Sequence, residues 1–208
     1  MTVDLTAIMT CFGRPVSTRR MLTDIFNQTS DGWELILIGD GCPDFADLLD
    51  DPNFQQSRKT AEDRGNTIKA FNLEKNYGGY GYEARNRAIA MATKEYMIFL
   101  DNDDRISPLH FEHYYSTAVR SGFDLALFET VVKGQKIRDP KLVLNHVGHA
   151  EIIARTSIAQ KAPAQDPEYG HDWRFIDYIR KNSELIGRGR RNLRTYYIQR
   201  TREDPPAP

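Results

Sequence analysis

A short apolar run that ends abruptly in acidic residues is the feature that most constrains this chain. Tyr96 to Leu100 has the length and β-forming composition of a buried strand, and three of the next four residues, Asp101 to Asp104, are carboxylates. Because carboxylates at this spacing repel one another, they need solvent or a cation between them. Mg²⁺ and Mn²⁺ prefer such oxygen ligands, and α/β proteins bind ligands beyond the carboxyl ends of their strands. A solvated acidic turn capped by Asp104 or Ser107 explains the same residues equally well.

Apolar patterning along the rest of the chain alternates between strands and helices. The first half predicts strands over 5–11, 33–38, 67–73 and 96–100, and helices over 15–26, 45–49, 82–92 and 109–120. The polar residues 53–66 are predicted as a loop or a frayed helix. The second half predicts strands over 124–133, 149–155 and 196–199, a turn at 133–135 and a helix over 171–181. This order predicts an α/β fold, a single Rossmann-like domain with a mostly parallel central sheet.

Composition excludes several classes of protein. A chain of 208 residues with a formal net charge of −1 is expected to form one domain and gives no global signal for polyanion binding. No apolar run approaches the roughly 20 residues of a membrane span, and the N-terminus lacks the pattern of a secretory signal. Cys11 and Cys42 are too few for a disulfide scaffold, so free thiols in a cytoplasmic protein are expected.

Polar and glycine-rich segments follow the predicted strands and would meet at one edge of the sheet. Asp40 lies between two glycines, where its carboxylate can accept hydrogen bonds from a base imide or from ribose hydroxyls, or can form a simple turn. The glycines of residues 78–81 allow a close backbone approach to a ligand, but they match neither a dinucleotide fingerprint nor a P-loop. Arg85, early in a predicted helix, opposes the helix dipole and suits a phosphate contact, although a solvated surface arginine is the alternative.

Together these segments resemble the family-2 glycosyltransferases of the GT-A fold. The resemblance rests on the order and spacing of four pieces: Phe12-Gly13-Arg14-Pro15, Gly39-Asp40-Gly41, Asn76-Tyr77-Gly78-Gly79 with Ala84-Arg85-Asn86, and Leu100-Asp101-Asn102-Asp103-Asp104. It implies metal-dependent, inverting transfer of a sugar from a nucleoside diphosphate, expected to be UDP, to an acceptor hydroxyl, with Mn²⁺ or Mg²⁺ as cofactor. Residues 1–105 would then form the nucleotide-sugar-binding half of the domain and residues 106–200 the acceptor-binding half.

The resemblance also implies roles for individual residues. Asp40 would contact the base, Arg85 the diphosphate, Asp101 the ribose and the metal, and Asp103 the metal directly. Arg14, Asn76 and Gly79 would complete the nucleotide-sugar site. Two readings compete with transfer: a nucleotidyltransferase on a similar sheet, and a nucleotide-sugar-binding module without catalysis.

The catalytic base must come from the second half of the chain. The family often carries Glu-Asp at the start of a helix, and here the corresponding pair is His171-Asp172, with histidine in place of glutamate. Asp172 is the predicted base, although a carboxylate in the first turn also stabilises a helix without any catalytic role. His146, His149 and His171 are further candidates for metal or acceptor contacts, or are ordinary polar residues.

The segment from Arg180 to Arg202 is rich in arginine. It can bind an anionic acceptor, such as a glycan or a lipid-linked glycan, or make peripheral contact with a membrane surface, and a solvated helix and loop is the alternative. A nucleic-acid partner is not expected. Nucleic-acid sites often interleave aromatic residues with basic ones, and this segment has almost no aromatic residues. The Pro-rich residues 201–208 are predicted to be a disordered tail.

Overall fold

The computed structural model describes residues 1–132, 136–189 and 197–199. Seven helices alternate with the strands of two sheets in this part of the chain. The strands are β1 (Leu5–Cys11), β2 (Glu34–Gly39), β3 (Thr67–Asn72), β4 (Tyr96–Asp101), β5 (Arg105–Ile106), β6 (Leu125–Phe128), β7 (Thr130–Val132), β8 (Lys136–Arg138), β9 (Ile152–Arg155), β10 (Ile186–Gly189) and β11 (Tyr197–Gln199). The helices are α1 (Pro15–Phe26), α2 (Phe45–Asp50), α3 (Pro52–Asp63), α4 (Tyr82–Met91), α5 (His110–Ser121), α6 (Thr156–Ala159) and α7 (His171–Asn182).

The central sheet has seven strands in the order β10-β6-β9-β4-β1-β2-β3, and a smaller sheet has the order β5-β11-β7-β8. In the central sheet only β9 runs antiparallel to its neighbours among the described strands. The α/β class and the mostly parallel sheet are therefore confirmed. The register places Cys11 opposite Gly39 and Thr10 opposite Asp101, so the carboxyl ends of β1, β2 and β4 meet at one edge. The strand order reverses at β1, which is where open α/β sheets bind their ligands.

Both faces of the central sheet are buried, which explains why its strands are almost continuously apolar. Alternate residues face opposite sides: Ala7 and Met9 pack with α1 and α5, whereas Ile8 packs with α4 and α7. Phe175 and Ile176 of α7 belong to the second cluster, so the helix that carries Asp172 is fixed against the sheet by apolar packing.

Residues 53–66, predicted as a loop or a frayed helix, are mostly the well-formed helix α3. The Asp51 carboxylate caps its start by accepting hydrogen bonds from the backbone N–H groups of Asn53 and Phe54, and Pro52 occupies the first turn. Ion pairs four residues apart support the exposed face, and Phe54 and Ala61 are buried. The helix has so few apolar residues that its periodicity was hidden.

The second half departs more from its predicted elements. The single strand predicted over 124–133 is two strands, because the chain leaves the central sheet after Phe128 and enters the smaller one at Thr130. The strand predicted over 149–155 begins as a 3₁₀ turn, His149–Glu151, and β10 was not predicted. The last strand is present as β11, whereas the turn at 133–135 and the tail at 201–208 lie outside the described residues.

None of the helices described in the structure has the length and apolar character needed to cross a bilayer.

Candidate active site

Arg85 and Asp101 meet at the carboxyl edge of the central sheet. Arg85 is buried, and its Nη2 lies 3.3 Å from Oδ1 of Asp101, the last residue of β4. Arg85 also donates to the carbonyl of Tyr80, a residue with a φ of 59°. Gly81 precedes α4 with a φ of 77°, and a Cβ on it would lie 3.3 Å from Oγ1 of Thr10. The helix α4 therefore starts close against β1. Because Arg85 is buried, the alternative of a solvated surface arginine is wrong.

The other two carboxylates of the acidic segment are paired or buried within the protein. Asp103 is ion-paired with Arg14, and Asp104 is fully buried. Neither Asp104 nor Ser107 caps α5, whose N-cap is Leu109 without a side-chain hydrogen bond. The interpretation of this segment as an acidic turn in which Asp104 or Ser107 caps the helix is therefore wrong. Arg14 and Asp103 lie together at this edge of the sheet.

Asp40 is buried, at 3% exposure. Its Oδ1 accepts a hydrogen bond of 3.1 Å from the backbone N–H of Tyr77. Burial raises the pKa of the Asp40 carboxyl. The carboxylate thus ties the end of β2 to the glycine-rich loop, and a contact with a base remains a prediction.

The glycine-rich loop packs against the second half of the domain. Asn76 is exposed, and its Oδ1 accepts a hydrogen bond of 2.6 Å from the N–H of Gly78. Gly79 has a φ of 55°, and a Cβ there would lie 2.9 Å from Cα of Pro167. Close backbone packing therefore requires glycine at this position, whether or not a ligand also approaches it.

Cys11 and Cys42 are free, buried and hydrogen-bonded to each other behind this edge. The hydrogen bond from Cys11 lowers the pKa of Cys42 to about 6, whereas the same contact and burial raise the pKa of Cys11.

A cleft of about 350 Å³ joins the two halves of the domain. Its walls bring Arg85 and Asp101 together with Asp172, the predicted base. The lining is Tyr80, Arg85, Asp101, Arg138, Asn145, Val147, Gly148, His149, Ala150, Glu151, Tyr169, Gly170, His171 and Asp172. The lining does not include the predicted site residues Arg14, Asp40, Asn76, Gly79 and Asp103, nor His146, which is exposed.

Asp172 lies in the first turn of α7 and is half-buried. Its Oδ1 accepts a hydrogen bond of 2.8 Å from the N–H of Trp173, and its Oδ2 would lie 3.9 Å from a Cβ on Gly148. Gly148 therefore leaves space in the cleft beside the carboxylate.

Glu151 is a second carboxylate in the cleft that sequence reasoning missed. It is buried, accepts hydrogen bonds from Oγ1 of Thr130 (3.0 Å) and the N–H of Gly148 (2.9 Å), and pairs with Nε of Arg138 at 3.1 Å. Burial raises the pKa of Glu151. The sequence carried no signal for this cluster, because Thr130 and Arg138 lie on β7 and β8 and meet Glu151 only in the folded chain.

Two of the three candidate histidines also line the cleft. Burial lowers the pKa values of both His149 and His171, and the nearby Arg85 guanidinium lowers them further. Their rings are stacked with centroids 6.0 Å apart. Both imidazoles are therefore neutral at neutral pH.

The described residues include no group of three His, Cys, Asp or Glu side chains placed to hold a metal ion. Magnesium sites made of one or two carboxylates and substrate phosphates do not need such a group. Asp101 and Asp103 supply two carboxylates at the strand end, and this donor set fits an ion that completes its coordination with a diphosphate. An ion at Asp103 would compete with Arg14 for the same carboxylate.

Residues 6–185 match the model of Glycosyl transferase family 2. The chain belongs to this family. The resemblance to the family-2 glycosyltransferases is thereby confirmed.

A family-2 relative is poly(ribitol-phosphate) beta-N-acetylglucosaminyltransferase TarP of Staphylococcus aureus (strain N315). It is 28% identical to this chain over 153 residues, which are 72% of this chain and 44% of TarP. The chain thus spans less than half the length of this curated relative.

Solved structures of glycosyltransferases share the fold. S. aureus TarS 1-349 has a TM-score of 0.71 at 16% identity, with 93% of this chain and 59% of TarS 1-349 covered. Its complex with UDP-GlcNAc has a TM-score of 0.68 at 17% identity, with 97% and 59% covered. The mannosyltransferase PcManGT from Pyrobaculum calidifontis, in complex with GDP-Man and Mn²⁺, has a TM-score of 0.71 at 10% identity, with 98% and 58% covered. The GT-A fold expected from the resemblance is confirmed.

Proposed function

We propose that this chain is a glycosyltransferase that moves a sugar from a UDP-linked donor to a hydroxyl of an anionic acceptor and inverts the anomeric centre. The observation that carries the proposal is that Arg85, Asp101 and Asp172 all line the same cleft. Residues 1–105 supply the donor side and residues 106–200 the acceptor side.

Arg85 binds the diphosphate in this proposal. Its guanidinium is buried at the cleft and fixed by Asp101 and the Tyr80 carbonyl, so it is already oriented before a ligand arrives. A diphosphate gains negative charge as it leaves the sugar, and a fixed cation stabilises that charge where it develops. Mg²⁺ or Mn²⁺, held by Asp101 and Asp103, would supply further charge neutralisation when bound.

Asp172 acts as the general base. It removes the proton from the acceptor hydroxyl while the hydroxyl oxygen forms the new bond to the anomeric carbon and the bond from that carbon to the diphosphate oxygen breaks. The electron pair of the broken bond leaves with UDP, and Asp172 ends protonated. Attack on the face opposite the leaving group inverts the anomeric centre.

The choice of UDP rests on the relatives, because TarS is solved with UDP and with UDP-GlcNAc. The choice of an anionic acceptor rests on TarP, which is named for poly(ribitol-phosphate). In the arginine-rich segment, Arg180 and Lys181 pair with Asp177, and Arg188 pairs with Asp139. The remaining arginines of the segment lie outside the described residues, so its contact with an acceptor or a membrane surface stays a proposal.

Asp172→Asn tests the transfer directly, because it keeps the size of the side chain and removes its basicity. The wild type should release UDP from a UDP-sugar in the presence of Mn²⁺ and an acceptor, and the variant should be slower by roughly 10²–10⁴-fold. UDP affinity should not change. Asp166→Asn is the matched control, since Asp166 is exposed, pairs with Arg174 and lies outside the cleft lining.

The products separate the competing readings. Release of pyrophosphate from a nucleoside triphosphate would indicate nucleotidyl transfer, and UDP-sugar binding without turnover would indicate a binding module. Near-normal transfer by Asp172→Asn would place the base elsewhere.

A further inference from the structure

His149 lines the cleft together with Arg85, Asp101 and Asp172. Its ring centroid lies 4.8 Å from that of Phe99, two residues before Asp101, and 6.0 Å from that of His171, next to Asp172. A sugar carried on a diphosphate at Arg85 and attacked by a hydroxyl at Asp172 has to lie between these two sides. His149 is therefore placed where the proposed mechanism puts the transferred sugar.

The Nε2 atom of His149 has no partner in the part of the chain that the structure describes. The residue is 6% exposed, and its Nε2 is buried without a hydrogen-bond partner among the described residues. A buried polar atom without a hydrogen-bond partner costs about 1–3 kcal/mol of folding free energy. Such an atom is rare in a native structure and calls for an explanation, such as a ligand that pairs with it. The aromatic rings of Phe99 and Phe175, which also contact each other, pack against the imidazole and hold it in place.

The neutral charge state of His149 limits the class of ligand that its imidazole can bind well. Burial and the nearby Arg85 guanidinium lower its pKa well below the usual value, so the imidazole carries one N–H donor and one lone-pair acceptor. A sugar hydroxyl, which both donates and accepts, can pair with either ring nitrogen. An anion gains less from a neutral imidazole than from the Arg85 cation beside it.

We propose that His149 binds a hydroxyl of the transferred sugar and thereby helps the enzyme to select its donor. This inference rests on the proposed function, because it requires a sugar nucleotide in the cleft. His171, stacked beside it, forms the adjoining wall.

Comparison of UDP with UDP-sugars isolates this contact. Calorimetry with UDP, UDP-glucose, UDP-GlcNAc and UDP-GalNAc, each with Mn²⁺, identifies the sugar that the wild type binds best. His149→Phe keeps a flat ring packed against Phe99 and Phe175 and removes both nitrogens. It should weaken that UDP-sugar about 10-fold, the scale of one buried hydrogen bond, and leave UDP affinity within about 2-fold. His149→Gln should recover part of the loss.

Two controls make the result specific. His146→Phe is the matched substitution at an exposed histidine outside the cleft lining, and it should change neither affinity. Donors that lack single hydroxyls should include one that binds about 10-fold more weakly to the wild type but not to His149→Phe, because the partner of that hydroxyl is already absent.

The outcomes separate this inference from the function beneath it. If His149→Phe keeps the wild-type ratio of UDP-sugar to UDP affinity, His149 is only a packing residue and the inference is wrong. If the wild type binds neither UDP nor any UDP-sugar, the proposed function itself is wrong, and the inference with it. Melting temperatures of the variants show whether any loss comes from unfolding instead.

Discussion

The guanidinium of Arg85 lies 3.3 Å from the carboxylate of Asp101, and the two groups differ in exposure. The Arg85 side chain is 11% exposed, whereas the Asp101 side chain is 43% exposed. The Arg85 guanidinium is thus buried in the lining of the cleft, whereas the Asp101 carboxylate faces the space that a ligand would fill. An anionic ligand can therefore bind the Arg85 cation without the entropic cost of ordering a flexible side chain.

Arg85→Ala should weaken UDP binding by about 10- to 100-fold, because charge-assisted hydrogen bonds contribute about 1.5–3 kcal/mol. Arg87→Ala is the control on the same helix, since Arg87 pairs with Glu83 and is not part of the cleft lining. Calorimetry should show an unchanged affinity for the control. A variant that lacks Arg85 and binds UDP as tightly as the wild type would remove Arg85 from the diphosphate site.

Asp103→Ala should abolish the gain in UDP affinity that Mn²⁺ provides, because the ion then loses a carboxylate ligand. Binding of UDP without metal should persist, since the substitution releases Arg14 from its ion pair. Titrations with and without Mn²⁺ measure both effects. Asp63→Ala, at an exposed carboxylate that pairs with Lys59, is the control. An equal Mn²⁺ effect in wild type and Asp103→Ala would show that Asp103 holds no metal.

Asp40→Ala should lower both stability and UDP affinity, because it leaves the Tyr77 N–H without its acceptor. The expected loss is about 1–3 kcal/mol of unfolding free energy, seen as a lower midpoint in chemical denaturation. Asp40→Asn retains an acceptor oxygen for Tyr77 and should unfold close to the wild-type midpoint. If this amide variant also binds UDP normally, Asp40 positions the loop and does not contact the base.

Acid should destabilise the fold through His110, which burial keeps neutral. Burial lowers the pKa of His110 from 6.5 to about 3, so the unfolded chain takes up a proton near pH 6.5 that the folded chain accepts only near pH 3. The contribution of His110 is therefore complete above pH 6.5 and is lost as the pH falls toward 3, by up to about 1.4 kcal/mol per pH unit.

His110→Gln should flatten this dependence, because glutamine takes up no proton. Denaturation at a series of pH values between 3 and 7 measures the slope for the wild type and the variant. His146→Gln, at an exposed histidine, should retain the wild-type slope. Equal slopes for all three proteins would contradict a neutral, buried His110.

The sequence by itself determined the first half of the fold. The apolar runs that became β1, β2, β3 and β4 are long enough to identify as strands. The helices α1, α2 and α4 between them were also predicted, whereas α3 has too few apolar residues to show a period. Because side chains that follow parallel strands meet at one edge, the same reasoning found Asp101 and Arg85 as members of one site. These features depend on residues close in the chain, so local patterns predict them.

Only the tertiary structure decided the rest of the site. The burial of Asp40 depends on the loop that folds over it, and the hydrogen-bonded cluster of Glu151 depends on the position of Thr130, 21 residues earlier in the chain. The split between Phe128 and Thr130 follows from a choice between two sheets, which the strand residues themselves do not specify. The sequence pointed to Asp172, but its place in the same cleft as Asp101 depends on the packing of α7 against the sheet through Phe175 and Ile176. Contacts between segments that are far apart in the chain set the positions of these residues, so the local sequence pattern does not predict them.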